Sequence, residues 1–205
     1  MKRIAITPEV ALDDEAKYIV TILDSGWDYV HLRRPSATKN EMRKLIESIP
    51  QHYHSQLRLH GHFDLINEFN IGGLHLNHRC PNPPDHYNGS LSCTCHSVTE
   101  TQIATKYDYI TLSPIFDSIS KDGYKAAFTL DELKNIPQGK VIALGGVTPD
   151  NISILKNYSF VGFAMLGYLF SSPNLNDLKC RLKIIESKIK YVTVYYAQER
   201  SIQHC

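Results

Sequence analysis

The chain has 205 residues, with 22 Lys and Arg against 21 Asp and Glu, for a formal net charge of +1. This length suits one full-sized domain, and the balanced charge gives no electrostatic case for binding nucleic acid or an acidic membrane surface. The five cysteines lack the spacing of a disulfide framework, and neither a targeting segment nor a membrane-spanning apolar run is found, so we expect a reduced, cytoplasmic protein.

Short apolar runs alternate with segments of helical period along the chain. Helices are predicted where apolar residues recur every three to four positions, over 13–23, 39–49, 63–69, 99–106 and 175–190. The segment 80–88 holds three prolines and is predicted to be a loop. The eight apolar runs, each predicted to be a strand, are 4–6, 29–33, 57–60, 73–76, 91–95, 109–113, 141–144 and 160–165.

Eight strands alternating with helices favour a small TIM (β/α)8 barrel over the alternative, an open doubly wound sheet. In the second run, Val30 and Leu32 share one face while His31 and Arg33 share the other. A parallel sheet covered on both sides would be apolar on both faces. We therefore predict a single α/β domain over 1–190, a phosphate-binding barrel with an irregular fourth crossover.

A C-terminal tail is predicted over 191–205, beyond the barrel. Its stretch 191–196 is compatible with an added strand or with a contact in a homo-oligomer, and the sequence does not decide between them.

A glycine pair follows the seventh run and predicts an anion site. Gly145 and Gly146 let backbone approach a ligand closely, and Thr148 and Pro149 suit the N-cap and first position of a helix. A helix start offers free N–H groups and the positive end of a dipole, which favour phosphate. The eighth run ends near Gly167, and the loops after strands seven and eight are where barrels of this type bind phosphate.

A second group of residues is typical of a phosphate clamp. Arg33 offers a bidentate fork, Lys121 a point charge, and Ser118 and Ser120 neutral donors. The alternative is that 118–123 is only a solvated loop. Two anion sites across one barrel mouth would indicate two phosphorylated reactants or one long diphosphorylated ligand.

Histidines recur at the predicted strand ends, at His31, His60, His62 and His75. A metal centre built from them would indicate a hydrolase, but no inward acidic residue stands at these strand ends. We therefore predict hydrogen-bonding pocket histidines and no metal site. Cys93 and Cys95, two residues apart, lack the CxxC spacing of a redox or zinc pair and are predicted to line the barrel.

Four motifs resemble, in order and spacing, those of the thiamin phosphate synthase and TenI (thiazole tautomerase) superfamily. They are 26–33 (GWDYVHLR), 112–116 (LSPIF), 142–151 (IALGGVTPDN) and 162–167 (GFAMLG). The resemblance covers about 4–182. It implies thiamin biosynthesis: coupling of hydroxymethylpyrimidine diphosphate with thiazole phosphate and release of diphosphate, which leaves before the thiazole nitrogen captures the pyrimidine cation. It also implies Mg²⁺ as cofactor and small phosphorylated substrates as partners.

The resemblance assigns roles to residues of this chain. Arg33, Lys121 and His31 are the candidate catalytic residues, with His31 in place of a glutamine that usually precedes this arginine by two residues. Ser118 and Ser120 fall on diphosphate-binding positions, Thr94 on a hydroxyl that contacts phosphate, and Gly146, Leu166 and Gly167 on the thiazole-phosphate site. The complete set of candidate substrate-binding residues is His60, Thr94, Ser118, Ser120, Gly145, Gly146, Leu166 and Gly167.

The chain departs from the family pattern where the metal is held. An Asn-Asp pair of the family falls on His60 and Gly61, a second metal-binding aspartate falls near Cys80, and a lysine falls on Pro35. The carboxylate ligands that Mg²⁺ would need are thus absent from these positions, and no other cofactor is expected.

Three functions follow from these observations. The first is a thiamin phosphate synthase-type transferase. The second is a tautomerase-like isomerase of thiazole phosphate with His31, His60 or His96 as proton carrier, although Pro114 stands where that branch has a functional histidine. The third is a non-catalytic paralogue that binds phosphorylated ligands.

Overall fold

In the computed structural model, residues 1–117 and 125–202 are described, with side chains described as far as residue 190. Eight parallel strands close into one barrel in the order of the sequence, which confirms the predicted TIM barrel. The strands are β1 (Lys2–Ile6), β2 (Tyr29–Leu32), β3 (Leu57–Leu59), β4 (Gly73–Leu76), β5 (Ser90–Cys95), β6 (Tyr109–Leu112), β7 (Val141–Leu144) and β8 (Phe160–Met165).

Helices cover the outside of the barrel. Two of them begin with a capping box, formed by Thr38 and Glu41 in one and by Thr129 and Glu132 in the other. The α-helices are α1 (Glu15–Asp24), α2 (Lys39–Glu47), α3 (Val98–Ile103), α4 (Leu130–Leu133), α5 (Gly167–Phe170) and α6 (Leu175–Ile202). The 3₁₀ helices are Gln51–Gln56, Phe63–Asn67 and Ile152–Asn157. The segment between β4 and β5 is described in full and contains no helix, so the predicted irregular fourth crossover is confirmed.

The helix predicted to begin at Thr148 and Pro149 is wrong. The side-chain oxygen of Asn151 accepts the N–H of Thr148 at 2.9 Å, and its amide nitrogen donates to the carbonyl of Gly146 at 2.8 Å. These bonds fix a turn, and helical structure begins only at the 3₁₀ helix Ile152–Asn157. The helix nearest to the barrel mouth on this side is instead the four-residue α5, directly after β8.

The last helix, α6, extends well past the predicted end at 190. The stretch 191–196 is therefore helical, and the added-strand alternative is wrong. In the described part of the chain, no helix is both long and apolar enough to span a bilayer.

Two apolar clusters stabilise the fold. The larger one lies between strands and helices and includes Val30 and Leu32. A smaller one fills part of the barrel interior and consists of Ile4, Ile6, Tyr109, Ile142 and Ala164. Its members come from β1, β6, β7 and β8.

The remainder of the interior is polar, as the alternation in the second run predicts. The buried polar side chains of the interior come from the neighbouring strands β2 to β6 and bond to other side chains or to backbone carbonyls. They are His31, Arg58, His75, Ser92 and Thr111. The interior therefore has an apolar side and a polar side.

Candidate active site

A cavity of about 1120 Å³ opens at the carboxyl ends of the strands. This is the end of the barrel where function is located in TIM-barrel enzymes, and the volume suits a drug-sized or dinucleotide-sized ligand. Its wall on the β4 side is the helix-free crossover, which contributes Asn77, His78, Arg79, Cys80 and Pro81.

Three histidines from adjacent strands meet at the floor of this cavity. His60 and His75 line the cavity, whereas His31 is fully buried beneath them. Nδ1 of His31 lies 2.8 Å from Nε2 of His60, and the rings of His60 and His75 stack with centroids 4.2 Å apart. His31 is therefore separated from the cavity by His60 and His75.

The histidine cluster is anchored by hydroxyl groups of β5 and β6. Nε2 of His31 lies 2.7 Å from the hydroxyl of Tyr109. His75 is held at both nitrogens, by the hydroxyl of Ser92 at Nδ1 and that of Thr94 at Nε2, each at 2.8 Å. These bonds fix the orientation of the rings.

Burial keeps the three imidazoles neutral. Desolvation, with smaller contributions from the charges of His75 and Arg58, lowers the pKa of His31 well below its ordinary value. Desolvation followed by the charges of His75, His31 and Arg33 does the same to the pKa of His60. The pKa of His75 falls to about 3 through desolvation and the charge of Arg33.

Arginines supply positive charge to the cavity wall. Arg33, Arg34 and Arg79 all line it. Arg33 forms an ion pair with Glu9 at 2.7 Å, and both side chains are partly exposed. Arg34 pairs with the buried carboxylate of Glu15. Guanidinium groups at a cavity of this kind favour phosphate-bearing ligands.

The glycine pair lies on the wall formed by the ends of β7 and β8, next to the start of α5. Gly145 and Gly146 have φ values of +92° and +64°, which residues other than glycine rarely adopt. A Cβ on Gly145 would lie 2.8 Å from Cα of Pro114, and one on Gly146 would lie 2.2 Å from the carbonyl oxygen of Asp117. The glycines are therefore required so that the loop after β6 can pack against the loop after β7.

This geometry leaves backbone N–H groups at the cavity. Gly145, Gly146 and Gly167 line it, and none of their N–H groups donates to an acceptor within the part of the chain that the structure describes. Loops after strands seven and eight, together with a short extra helix, form the phosphate site of many TIM barrels. Helix α5 is such a short helix, and it takes the place of the helix predicted at Thr148.

The structure brings together most of the residues that the sequence singled out. Of the candidates, those that line the cavity are Arg33, His60, Thr94, Gly145, Gly146, Leu166 and Gly167. Ser118, Ser120 and Lys121 lie outside the described residues, so their part in a phosphate clamp stays a prediction. His96 lines the cavity. The prediction that Cys93 and Cys95 line the barrel is wrong, because both pack in the larger apolar cluster, whereas the alternating Ser92 and Thr94 face the interior and bond to His75.

Three contributors escaped sequence reasoning. Arg79 follows the end of β4 by three residues, and a cation just past a predicted strand end is a signal that could have identified it. Tyr109 and Ser92 sit inside strands, where a hydroxyl alone gives no hint of its partner. Their bonds to His31 and His75 depend on the closure of the barrel.

The donor set does not fit the Mg²⁺ implied by the resemblance. Mg²⁺ is held by carboxylates, waters and phosphate oxygens. Among the described residues, the only carboxylate that lines the cavity is Glu9, which is paired with Arg33. His60 and Cys80 stand at the cavity wall near the positions of the family's aspartates, and Gly61 offers no side chain.

Comparisons with solved structures agree with this architecture. A thiamine phosphate pyrophosphorylase from Bacteroides thetaiotaomicron is 33% identical, with a TM-score of 0.83 over 93% of this chain and 98% of that one. A thiamine phosphate pyrophosphorylase from Pyrococcus furiosus is 18% identical, with a TM-score of 0.72 over 93% and 96%. A 3-hexulose-6-phosphate synthase from Salmonella typhimurium, 10% identical with a TM-score of 0.66 over 94% and 100%, shares the fold alone.

A search of curated proteins found no match. The family model described as thiamine monophosphate synthase matches residues 4–169, which include all eight strands apart from the first two residues of β1. The cavity, the glycine pair and the arginine wall all lie within this range. The chain therefore belongs to the thiamine monophosphate synthase (TMP-TENI) family.

Proposed function

We propose that this chain is a thiamin phosphate synthase-type transferase that couples hydroxymethylpyrimidine diphosphate with thiazole phosphate and releases diphosphate. The observation that carries the proposal is the cavity with guanidinium groups on one wall and backbone N–H groups on the other. Two separate groups of anion-binding donors would suit two phosphorylated reactants held in one cavity. The 33% identity to the Bacteroides pyrophosphorylase supports the same reaction.

Arg33 and Arg79 would hold the departing diphosphate on one side of the cavity. As the bond between the pyrimidine methylene and the diphosphate oxygen breaks, the electron pair leaves with the diphosphate. Cations placed at the leaving oxygens stabilise that charge. Lys121 is proposed to add a further cation, by resemblance.

The wall at the ends of β7 and β8 would orient the second reactant. The N–H groups of Gly146 and Gly167 would donate to the thiazole phosphate, and the thiazole nitrogen would form the new bond to the pyrimidine methylene. Holding both reactants in one cavity converts a bimolecular step into an effectively unimolecular one. Because the donor set does not fit Mg²⁺, no step here depends on that ion.

A coupling assay with both substrates tests the proposal. We expect turnover in the native chain and a loss of at least about 100-fold in kcat/KM for Arg33→Gln, because a charge-stabilising donor contributes 10²–10³. Arg43→Gln is the matched control, since Arg43 is paired with Glu68 on the outer surface. Product formation at the background rate in the native chain, with and without added divalent metal, would rule out the transferase.

The neutral ring of His60 at the cavity supports a second candidate, an isomerase of thiazole phosphate. A neutral imidazole within reach of a ligand can accept a proton, and His31, 2.8 Å behind Nε2 of His60, would hold that ring in orientation. Turnover of thiazole phosphate tautomers, abolished in His60→Ala and with no coupling activity, would favour this reading. Binding of both phosphorylated ligands without any turnover would instead favour the non-catalytic paralogue.

A further inference from the structure

The three histidines at the cavity floor bring potential metal-ligand atoms close together. His31, His60 and His75 come from three consecutive strands or strand ends, and one ring nitrogen of each lies within 4.8 Å of the others. No other group of three His, Cys, Asp or Glu side chains is as close in the part of the chain that the structure describes.

The outer bond of His31 leaves its second nitrogen directed at His60, whereas His75 is held by hydroxyl groups at both nitrogens. Nε2 of His31 is held by Tyr109, so its Nδ1 faces Nε2 of His60 at 2.8 Å. Nδ1 of His75 is held by Ser92. Metal-binding histidines are typically oriented in this way, with the non-ligating nitrogen bonded to a second group.

We propose that His31, His60 and His75 bind a divalent transition-metal ion of the zinc type, with the remaining coordination directed into the cavity. Neutral imidazole is a ligand for Zn²⁺ and its neighbours in the first transition series, whereas Mg²⁺ prefers oxygen. The site thus lies close to where the family's carboxylates are missing, but it selects a different class of metal.

Modest side-chain movement suffices to close the site. Zn–N bonds of about 2.0–2.1 Å place tetrahedral ligand atoms roughly 3.3 Å apart. The present 2.8 Å between His31 and His60 and the overall spread of 4.8 Å bracket that value. Nε2 of His75 would exchange its bond to the hydroxyl of Thr94, 2.8 Å away, for the metal.

Three protein ligands are the pattern of zinc sites that keep an open position, whereas structural sites have four. His60 and His75 line the cavity, so water or an oxygen of a phosphorylated ligand can complete the coordination. The ion would then attract the anionic ligands that the cavity walls favour. This inference does not depend on the proposed transferase activity, since the site is defined by its ligands.

Metal binding by the full chain tests the proposal directly. The protein is freed of metal with a chelator and titrated with Zn²⁺ by calorimetry and with Co²⁺ by visible absorption. We expect one ion per chain and the strong ligand-field bands of four- or five-coordinate Co²⁺. His60→Ala and His75→Ala should weaken binding by more than about 100-fold, because changes to second-shell partners alone cost 10–100-fold.

His78→Ala is the matched control, because His78 is exposed at the same cavity but outside the cluster. Ser92→Ala is the second variant, and it should weaken binding by about 10–100-fold through the orientation of His75. Circular dichroism of each variant verifies that it is folded.

Less than one ion per chain, an octahedral Co²⁺ spectrum, or equal affinities of the folded His60→Ala and His78→Ala proteins would overturn the site. Each of these outcomes concerns metal binding alone. The coupling assay, which reports on the transferase, can fail or succeed independently of them.

Discussion

Nε2 of His31 and the hydroxyl of Tyr109 lie 2.7 Å apart across the interior of the barrel, joining β2 to β6. Both side chains are almost completely buried. Desolvation raises the pKa of Tyr109 to about 12, so the phenol keeps its proton at neutral pH. The bond is therefore one between two neutral groups in a site without bulk water.

Replacing Tyr109 with Phe should destabilise the barrel. The change leaves a buried nitrogen of His31 without its partner, and such a loss costs about 1–3 kcal/mol. Urea denaturation measures the change in the free energy of unfolding. Tyr29→Phe is the control, because the Tyr29 ring stacks on Tyr109 at 5.8 Å but its hydroxyl is not the partner of His31. Equal stability of the two variants would show that the bond contributes nothing.

Two ion pairs at the cavity wall should differ in their contribution to stability. The Arg34–Glu15 pair is buried, with side-chain exposures of 10% and 2%, so Glu15→Gln leaves a buried charge unpaired and should cost about 3–5 kcal/mol. The Arg33–Glu9 pair is partly exposed, and Glu9→Gln should cost about 1 kcal/mol or less. Chemical denaturation of both variants measures this difference; a larger loss for Glu9→Gln would contradict it.

Gly146→Ala should disturb both stability and ligand binding. Its positive φ alone costs about 1–2 kcal/mol for a residue with a Cβ, and the new Cβ would collide with the carbonyl of Asp117. Gly139→Ala has a φ of +93° but nothing within 4 Å, so it should show the backbone cost alone. Thermal denaturation and the affinity for thiazole phosphate measure the effects. A Gly146→Ala protein indistinguishable from Gly139→Ala would contradict the close packing.

The ion pair of Glu68 should make stability depend on acid pH. Bonding to Arg43, reinforced by Lys39, lowers the pKa of Glu68 from 4.5 to about 2. Because the folded-state pKa is depressed, the stabilisation is complete above pH 4.5 and is lost as the pH falls toward 2. Glu68→Gln should therefore lower the melting temperature at pH 7, with a difference that shrinks below pH 4.5.

Thermal melts across this pH range test the expectation, with Glu47→Gln on the exposed side of α2 as control. The pair lies at the surface, so the effect at pH 7 should be small and should diminish with added salt. A pH-independent difference between Glu68→Gln and the native chain would contradict it.

The strands were predictable because their signals are local. Three of them, β4, β7 and β8, begin and end where the apolar runs predict. Glycine or polar residues bound the runs of β4 and β7 on both sides. The alternation of Val30 and Leu32 with His31 was enough to indicate a barrel whose interior carries polar groups. The absence of a helix from the proline-rich crossover was predictable because the proline ring disrupts a regular helix.

Other features depend on contacts that are distant in sequence. The helix start predicted at Thr148 failed because Asn151 bonds to Thr148 and Gly146 and imposes a turn. The glycine pair was correctly predicted as special, but its first role is to admit the backbone of Pro114 and Asp117. Barrel closure also decided which histidines meet: His31, His60 and His75 converge, whereas His62 bonds to the carbonyl of Ala37.

The pairing of Arg33 with Glu9 has a consequence for ligand selection. The carboxylate of Glu9 pairs with Nη1 of the guanidinium that is proposed to bind a phosphate, and it holds that group in place beforehand. An exposed ion pair contributes at most about 1 kcal/mol, so a doubly charged phosphate can replace Glu9 at low cost. A neutral or singly charged compound gains little over the resident carboxylate. Under the proposed function, Glu9 would therefore set a minimum negative charge that a ligand needs in order to displace it from Arg33.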